Sequence, residues 1–270
     1  MLPVPARPPE PPSTTGRRGH DAGAPAADDE PLALYWAFYW AVAEAQLARW
    51  LPRRPGRLLD VSGDDGRSAA QAAGAGHRVI EVVEPAPDAE KPEVRAESRP
   101  NGVRTLIADT DRLHYLTDGS VDGVIAENRA LSRHLVTEAA VAEIARVLRP
   151  GGKLLVSVDS LTLGMALLAE QNRWAHLSDV PAAEVLLVPW PDGTITRCFG
   201  TDQLRELLTE AGLEVEWIRP RTVLSPSTVE HMLTRSPATL PRLVNTELSA
   251  PAGDDSLGVH LLASARRPDS

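Results

Sequence analysis

Between residues 57 and 158 the chain alternates short β-type runs with helical stretches. A sequence patterned this way folds as βαβ units around a mainly parallel sheet. The strand-like runs are 57–61, 78–83, 103–108, 121–126 and 153–158. Before the last of them, a helix over 137–148 places Val141, Ile144, Val147 and Leu148 on one face, and Pro150-Gly151-Gly152 stops it.

The flanks read differently. Residues 1–30 are rich in Pro, Gly, Ala and charge, and bury too little apolar area to offset ordering, which predicts a disordered tail. Order is expected from residue 31 to 268 as a single domain, with a 55–160 core and a 161–256 region of lid elements and late strands. Its first element is a helix over 32–51 in which Tyr35, Trp36, Phe38, Tyr39 and Trp40 crowd together. Beyond 160 the pattern predicts a helix over 161–177, a hairpin over 184–199 and a helix N-capped by Thr201 that turns Leu204, Leu207, Leu208 and Ala211 inward. A strand at 213–218, a helix at 227–235 and a strand at 258–265 follow.

Composition narrows the function. The net charge is −9 and Lys/Arg blocks are short, which argues against a surface that neutralises nucleic-acid phosphates. Cys198 is the only cysteine, so neither an internal disulfide nor a thiolate metal cluster is available, and no metal is expected. No window approaches the roughly 18 apolar residues that span a bilayer. These features predict a cytoplasmic protein with a small-molecule partner and no membrane association.

The turn after the first strand carries the chemistry. In RLLDVSGDDG (57–66) an apolar run ends at Asp60 and opens through Ser62, Gly63, Asp64 and Gly66 into an Ala-rich helix. Glycine lets the backbone approach a ligand, and the helix N-terminus directs amides at it. Glu84 falls at the tip of the second strand, about 20 residues further on, where an acidic side chain accepts from ribose hydroxyls. Asp109 ends the third strand, and Glu127 with Asn128 ends the fourth. A dinucleotide-binding dehydrogenase is disfavoured because Gly-x-Gly-x-x-Gly is absent.

The ordered series LLDVSGDDG, VIEVVEP, LIADTDRLHYLTDGSVDGVIAEN and EIARVLRPGGKLLVSV resembles the class I S-adenosylmethionine-dependent methyltransferases over about 55–160, and more loosely to 268. RVLRPGG (146–152) is its most diagnostic piece. The resemblance implies a Rossmann-like α/β fold, a seven-stranded mostly parallel sheet flanked by helices under an N-terminal helical cover. It implies S-adenosylmethionine as cofactor, held by Asp60, Ser62, Gly63, Asp64, Gly66, Glu84, Pro85, Asp109, Thr110 and Glu127. The first and middle glycines of the family's Gly-x-Gly-x-Gly turn are replaced here by Ser62 and Asp64.

A sulfonium methyl already has a good leaving group, so alignment of the acceptor matters most. His134, in RALSRHLV, is the candidate general base; packing at a helix start is the alternative. Tyr35, Trp36, Tyr39, Trp174 and Trp190 are candidate acceptor contacts, with ordinary core packing as the alternative. The expected activity is methyl transfer to a small organic acceptor. A methyltransferase-like binding or regulatory module with weakened turnover is the second reading, motivated by the altered turn.

Overall fold

The structure is a computed structural model that describes residues 32–63, 66–84, 95–98, 102–109, 112–180, 183, 185–190, 193–250 and 258–269; residues 95–98 and 179 are described for the backbone alone. The 1–30 tail, Asp64, Pro85 and Thr110 lie outside the described residues. Helix α1 (Ala33–Trp50) opens the fold. Strand β1 (Arg57–Asp60), helix α2 (Arg67–Gly74), β2 (Arg78–Val83), β3 (Arg95–Ser98), β4 (Val103–Ile107) and β5 (Val121–Ala126) follow. Next come α3 (Thr137–Val147), β6 (Leu148–Ser160), α4 (Leu161–Glu170), α5 (Trp174–Asp179), β7 (Leu186–Pro189) and β8 (Ile195–Phe199). The last elements are α6 (Thr201–Glu210), β9 (Glu214–Pro220), α7 (Pro226–Arg235), α8 (Leu240–Ser249) and β10 (His260–Arg266).

The expected seven strands form one sheet in the order β4-β2-β1-β5-β6-β10-β9. The first five run parallel, and β10 is antiparallel to both neighbours. Three more strands enlarge the sheet: β3 lies antiparallel on β4, and the β7–β8 hairpin joins the end of β6 through β8. Leu59, Val124, Leu154 and Val156 from one sheet face pack with Val141, Ile144 and Leu208 from α3 and α6. Leu58, Ile125 and Leu155, from the opposite pleat of the same strands, pack with Leu47 of α1 and with Ala69 and Ala72 of α2.

The RVLRPGG segment departs from its expected form. Helix α3 ends at Val147, and the strand begins at Leu148, so Pro150-Gly151-Gly152 bulges within β6 instead of forming a separate turn. Gly151 sits at φ +72, and a Cβ on Gly152 would stand 2.9 Å from the Arg149 carbonyl oxygen. Arg146 explains the first residue of the segment: it donates to the Leu113 and Leu116 carbonyls and pairs with Asp118, which fixes the loop leading into β5.

Other expectations shift for local reasons. The 161–177 helix is two helices, broken where Asn172 turns left-handed at φ +56. Gly200, not Thr201, occupies the N-cap of α6, and Gln203 accepts from its amide at 2.8 Å. Helix α8 was not expected; its Leu243 and Leu248 are buried, and Leu243 closes the α1 cover together with α7.

Candidate active site

The C-terminal ends of β4, β2, β1 and β5 share one edge of the sheet. From β1 the chain steps outward to β2 and β4, then returns to place β5 on the other side of β1. A parallel sheet leaves its ligand crevice at such a reversal. Here the turn between β1 and α2 forms the floor of that crevice.

The turn is tied across the reversal. Asp60 is buried and accepts from the Ser62 amide at 2.9 Å, while Ser62 Oγ accepts from the Glu127 amide at 2.9 Å. The tips of β1 and β5 are thereby fixed to each other. Gly63, at φ +108, has a conformation that side chains rarely adopt, and an added Cβ would lie 2.7 Å from Arg133 Nη2. Arg133 itself donates to the Ser62 carbonyl at 3.3 Å. Gly66 caps α2 at φ +65, which turns the first amides of that helix toward the crevice.

Two further acidic groups follow at neighbouring strand tips. Glu84 comes directly after β2 with its side chain 48% exposed, and its Oε1 stands 3.6 Å from His134 Nε2. Asp109 follows β4 and is half-buried. Burial, and then the charge of Asp109, push the Tyr115 hydroxyl above its usual pKa.

Behind the turn lies a set of buried charges. Glu127, 6% exposed, pairs with Arg221, which follows β9 and also donates to Gln46 Oε1 of α1 at 3.0 Å. Asp159 near the end of β6 takes a bidentate pair from Arg129, at 2.5 Å from Nε and 2.9 Å from Nη2. The guanidinium of Arg129 also lies 4.3 Å over the Trp190 ring. Asn128 and Arg129 both hold positive φ, at 52° and 60°. Two consecutive strained residues at a strand tip mark a backbone fixed by its surroundings.

Asp159 Oδ1 also faces His260 Nε2 at 3.5 Å, and His260 Nδ1 lies 3.0 Å from the Tyr39 hydroxyl. Burial, then Arg129 and Arg221, hold the His260 imidazole well below its ordinary pKa, so it is neutral. Its Nε2–H faces the carboxylate, which leaves Nδ1 to accept from Tyr39.

Between α1, α2 and the tip of β5 a cleft of about 520 Å3 opens, lined among others by Trp40, Glu44, Arg67, Gln71, Glu127 and Asn128. The Arg67 guanidinium stacks 4.6 Å over the Trp40 ring.

Asp60, Ser62, Gly63, Gly66 and Glu127 thus come together, with Glu84 and Asp109 on the adjacent tips. The candidate acceptor residues do not. Tyr35, Trp36 and Tyr39 are buried against α7 and α8, with the Tyr35 hydroxyl bonded to Thr222 Oγ1 at 3.0 Å. Trp190 is packed under α4 and donates to Thr196 Oγ1 at 2.8 Å, whereas Trp174 is 56% exposed. His134 follows a short 3-10 turn (Ala130–Arg133) and faces Glu84. Arg67, Arg133 and the Asp159–His260 contact escaped the sequence reading, which placed Trp40 within the aromatic cluster of the first helix. Arg67 and Arg133 stand beside recognisable segments, but the partners of Asp159 and His260 are a hundred residues apart with no local pattern joining them.

Residues 59–156 match a family model described as a methyltransferase domain. Among solved structures, the chain is similar to an S-adenosylmethionine-dependent methyltransferase from Mesorhizobium loti. That likeness has 18% identity over 87% of this chain and 100% of that one, with a TM-score of 0.51. It is also similar to one from Methanosarcina mazei, at 15% identity over 83% of this chain and 98% of that one, with a TM-score of 0.52. No curated protein matches the sequence.

Proposed function

We propose that this chain, a class I S-adenosylmethionine-dependent methyltransferase, moves a methyl group to a small organic acceptor at the crevice between β1 and β5. The observation that carries the reading is the Asp60–Ser62–Glu127 tie across the strand reversal, with Glu84 and Asp109 on the next two tips. A cleft of about 520 Å3 beside it suits a small molecule. The net charge of −9 favours neither nucleic acid nor another polyanion as acceptor.

The residues present fit the cofactor. The turn of Asp60, Ser62, Gly63, Asp64 and Gly66 is assigned to the side of its amino-acid end, as its two left-handed glycines open the backbone there. Glu84, half-exposed at a strand tip, is assigned to the ribose hydroxyls with Pro85 beside it in the chain, and Asp109 with Thr110 to the base edge. When bound, S-adenosylmethionine supplies an electrophilic methyl group on a sulfonium.

What the protein adds is alignment and exclusion of water. Helix α1, packed on α7 and α8, walls the cleft, and Trp190 after β7 lies under the Arg129 guanidinium close to the tip of β5. His134 stands 3.6 Å from Glu84, and we assign it the orientation of that carboxylate rather than proton removal from the acceptor.

Calorimetric titration with S-adenosylhomocysteine tests the first step. Micromolar binding is expected, and a folded protein that shows none at millimolar ligand overturns the reading. Transfer of isotopically labelled methyl to pools of small amines, phenols and thiols then identifies the acceptor class.

A further inference from the structure

Arg219, on the outermost strand β9, is a cation without a counterpart. The other arginines of the late strands are matched: Arg197 meets Glu138, Arg221 meets Glu127, Arg266 meets Glu214, and Arg267 donates to three backbone carbonyls. Among the described residues Arg219 has neither an ion pair nor a hydrogen bond. Its guanidinium lies 4.4 Å over the Trp217 ring, and the side chain is half-buried, so its outer nitrogens are the ends that a ligand can reach. In a chain with 37 acidic residues and a net charge of −9, a missing carboxylate is not for want of supply.

The surroundings add positive charge instead of cancelling it. The last turns of α1 run along β9, because Gln46 bonds Arg221 and the Trp50 indole donates to Ser264 Oγ at 3.2 Å, opposite Trp217. Between those two ties α1 carries Arg49, which is exposed and donates to the Leu248 carbonyl at 2.9 Å. Burial first, then Arg221 and Arg49, lower the Arg219 pKa, with Glu247 opposing them. The Glu247 oxygens already accept from the Val223 and Leu224 amides, at 2.5 and 3.1 Å.

Two guanidinium groups with donors to spare and no carboxylate between them describe an anion site. A guanidinium fork takes a carboxylate or a phosphate in two parallel bonds, and two forks match a group that carries two charges. A phosphate monoester carries about −1.5 to −2 near neutral pH, whereas a carboxylate carries a single charge. Arg219 itself covers Trp217, and the Trp50 N–H is committed to Ser264, so recognition falls on the anionic head.

We propose that Arg49 and Arg219 form a binding site for phosphate, free or as the monoester of a small molecule, at the sheet edge and apart from the crevice. Strands β6 and β10 separate β9 from β5, whose tip borders the crevice. The site is independent of the methyltransferase reading.

Calorimetric titration of the full chain at constant ionic strength, with inorganic phosphate and with glycerol 3-phosphate, tests it. A Kd of about 1 mM or tighter is expected for at least one of them, and the tighter ligand tells free phosphate from an ester. Arg219→Gln should weaken that binding about 10-fold or more, the loss of a charge-assisted pair. Arg104→Gln removes the same charge from an exposed position on β4, at the other side of the sheet, and should leave the affinity within about twofold. Arg49 is exposed, so Arg49→Gln, also expected to cost about 10-fold, keeps the test open if the Arg219 variant does not fold. No saturable binding of either ligand up to about 10 mM, or equal losses at Arg104 and Arg219, overturns the proposal.

Discussion

Among the described residues, one oxygen of the Glu127 carboxylate meets the guanidinium of Arg221, 94 positions later in the chain, and the other has no partner. The pair joins the tip of β5 to the segment after β9 and brings Gln46 of α1 with it. Both partners are buried. Removing the cation therefore strands a carboxylate in the interior, and Arg221→Met is expected to lower stability by about 3–5 kcal/mol. Replacing both residues with apolar ones of similar volume should restore most of that loss. Urea denaturation measures both, and a single-variant loss under about 1 kcal/mol would contradict the buried pair.

Acid should destabilise the fold through His260. Its imidazole is held well below the ordinary value, by burial first and then by Arg129 and Arg221, so the unfolded chain binds a proton that the folded chain refuses. Stability from this group is present above the unfolded pKa of about 6.5 and falls as pH drops below it, by up to about 1.4 kcal/mol per pH unit. The groups facing it are Tyr39, Asp159, Arg129 and Arg221. His260→Gln should flatten the melting temperature between pH 6.5 and 5 relative to the unaltered protein; an unchanged slope would assign the acid sensitivity elsewhere.

Glu84→Ala should weaken S-adenosylhomocysteine by about 10- to 100-fold, the worth of hydrogen bonds to a charged acceptor. Glu84 is half-exposed, so the melting temperature should barely move. His134→Ala should give a smaller loss of the same kind with little change in the pH profile of methyl transfer. Loss of the fall in activity toward acidic pH would instead return His134 to the role of general base.

Gly152→Ala should destabilise by about 1–3 kcal/mol. The nearest obstacle to its Cβ is the Arg149 carbonyl oxygen at 2.9 Å, a backbone atom inside the β6 bulge. Thermal unfolding would register the loss, and an unchanged midpoint would mean that the bulge accommodates a methyl group.

The central sheet was legible because its signal is local. Apolar runs such as 78–83 and 121–126 are short, β-rich and bounded by turn residues, and both appear as strands with the expected limits. Strand β3 escaped because its sequence, RAES, has no β-branched or aromatic residue and depends on pairing with β4. Helix α8 escaped because Pro241 and the run of Val244, Asn245 and Thr246 are weak helix formers, so its stability comes from docking Leu243 against the α1 cover. The turn residues were readable for the same reason as the strands. The Arg129–Asp159–His260–Tyr39 contacts join four distant segments, and only the folded sheet brings them side by side.

Strand β10 follows β9 in the chain but lies between β6 and β9 in the sheet. Until it inserts, β6 lacks one neighbour and β9 has none, so a folding chain exposes two unpaired edges with Val156, Val158 and Ile218 on them. Strands β4, β2, β1 and β5 make no backbone pairing with this strand. Assembly should therefore proceed in two stages, with the nucleotide side formed first and β9 and β10 acquiring amide protection together in pulse-labelled hydrogen exchange. Earlier protection of β9 alone would rule that order out. Any lesion that delays β10 becomes a hazard of aggregation before it becomes a loss of activity.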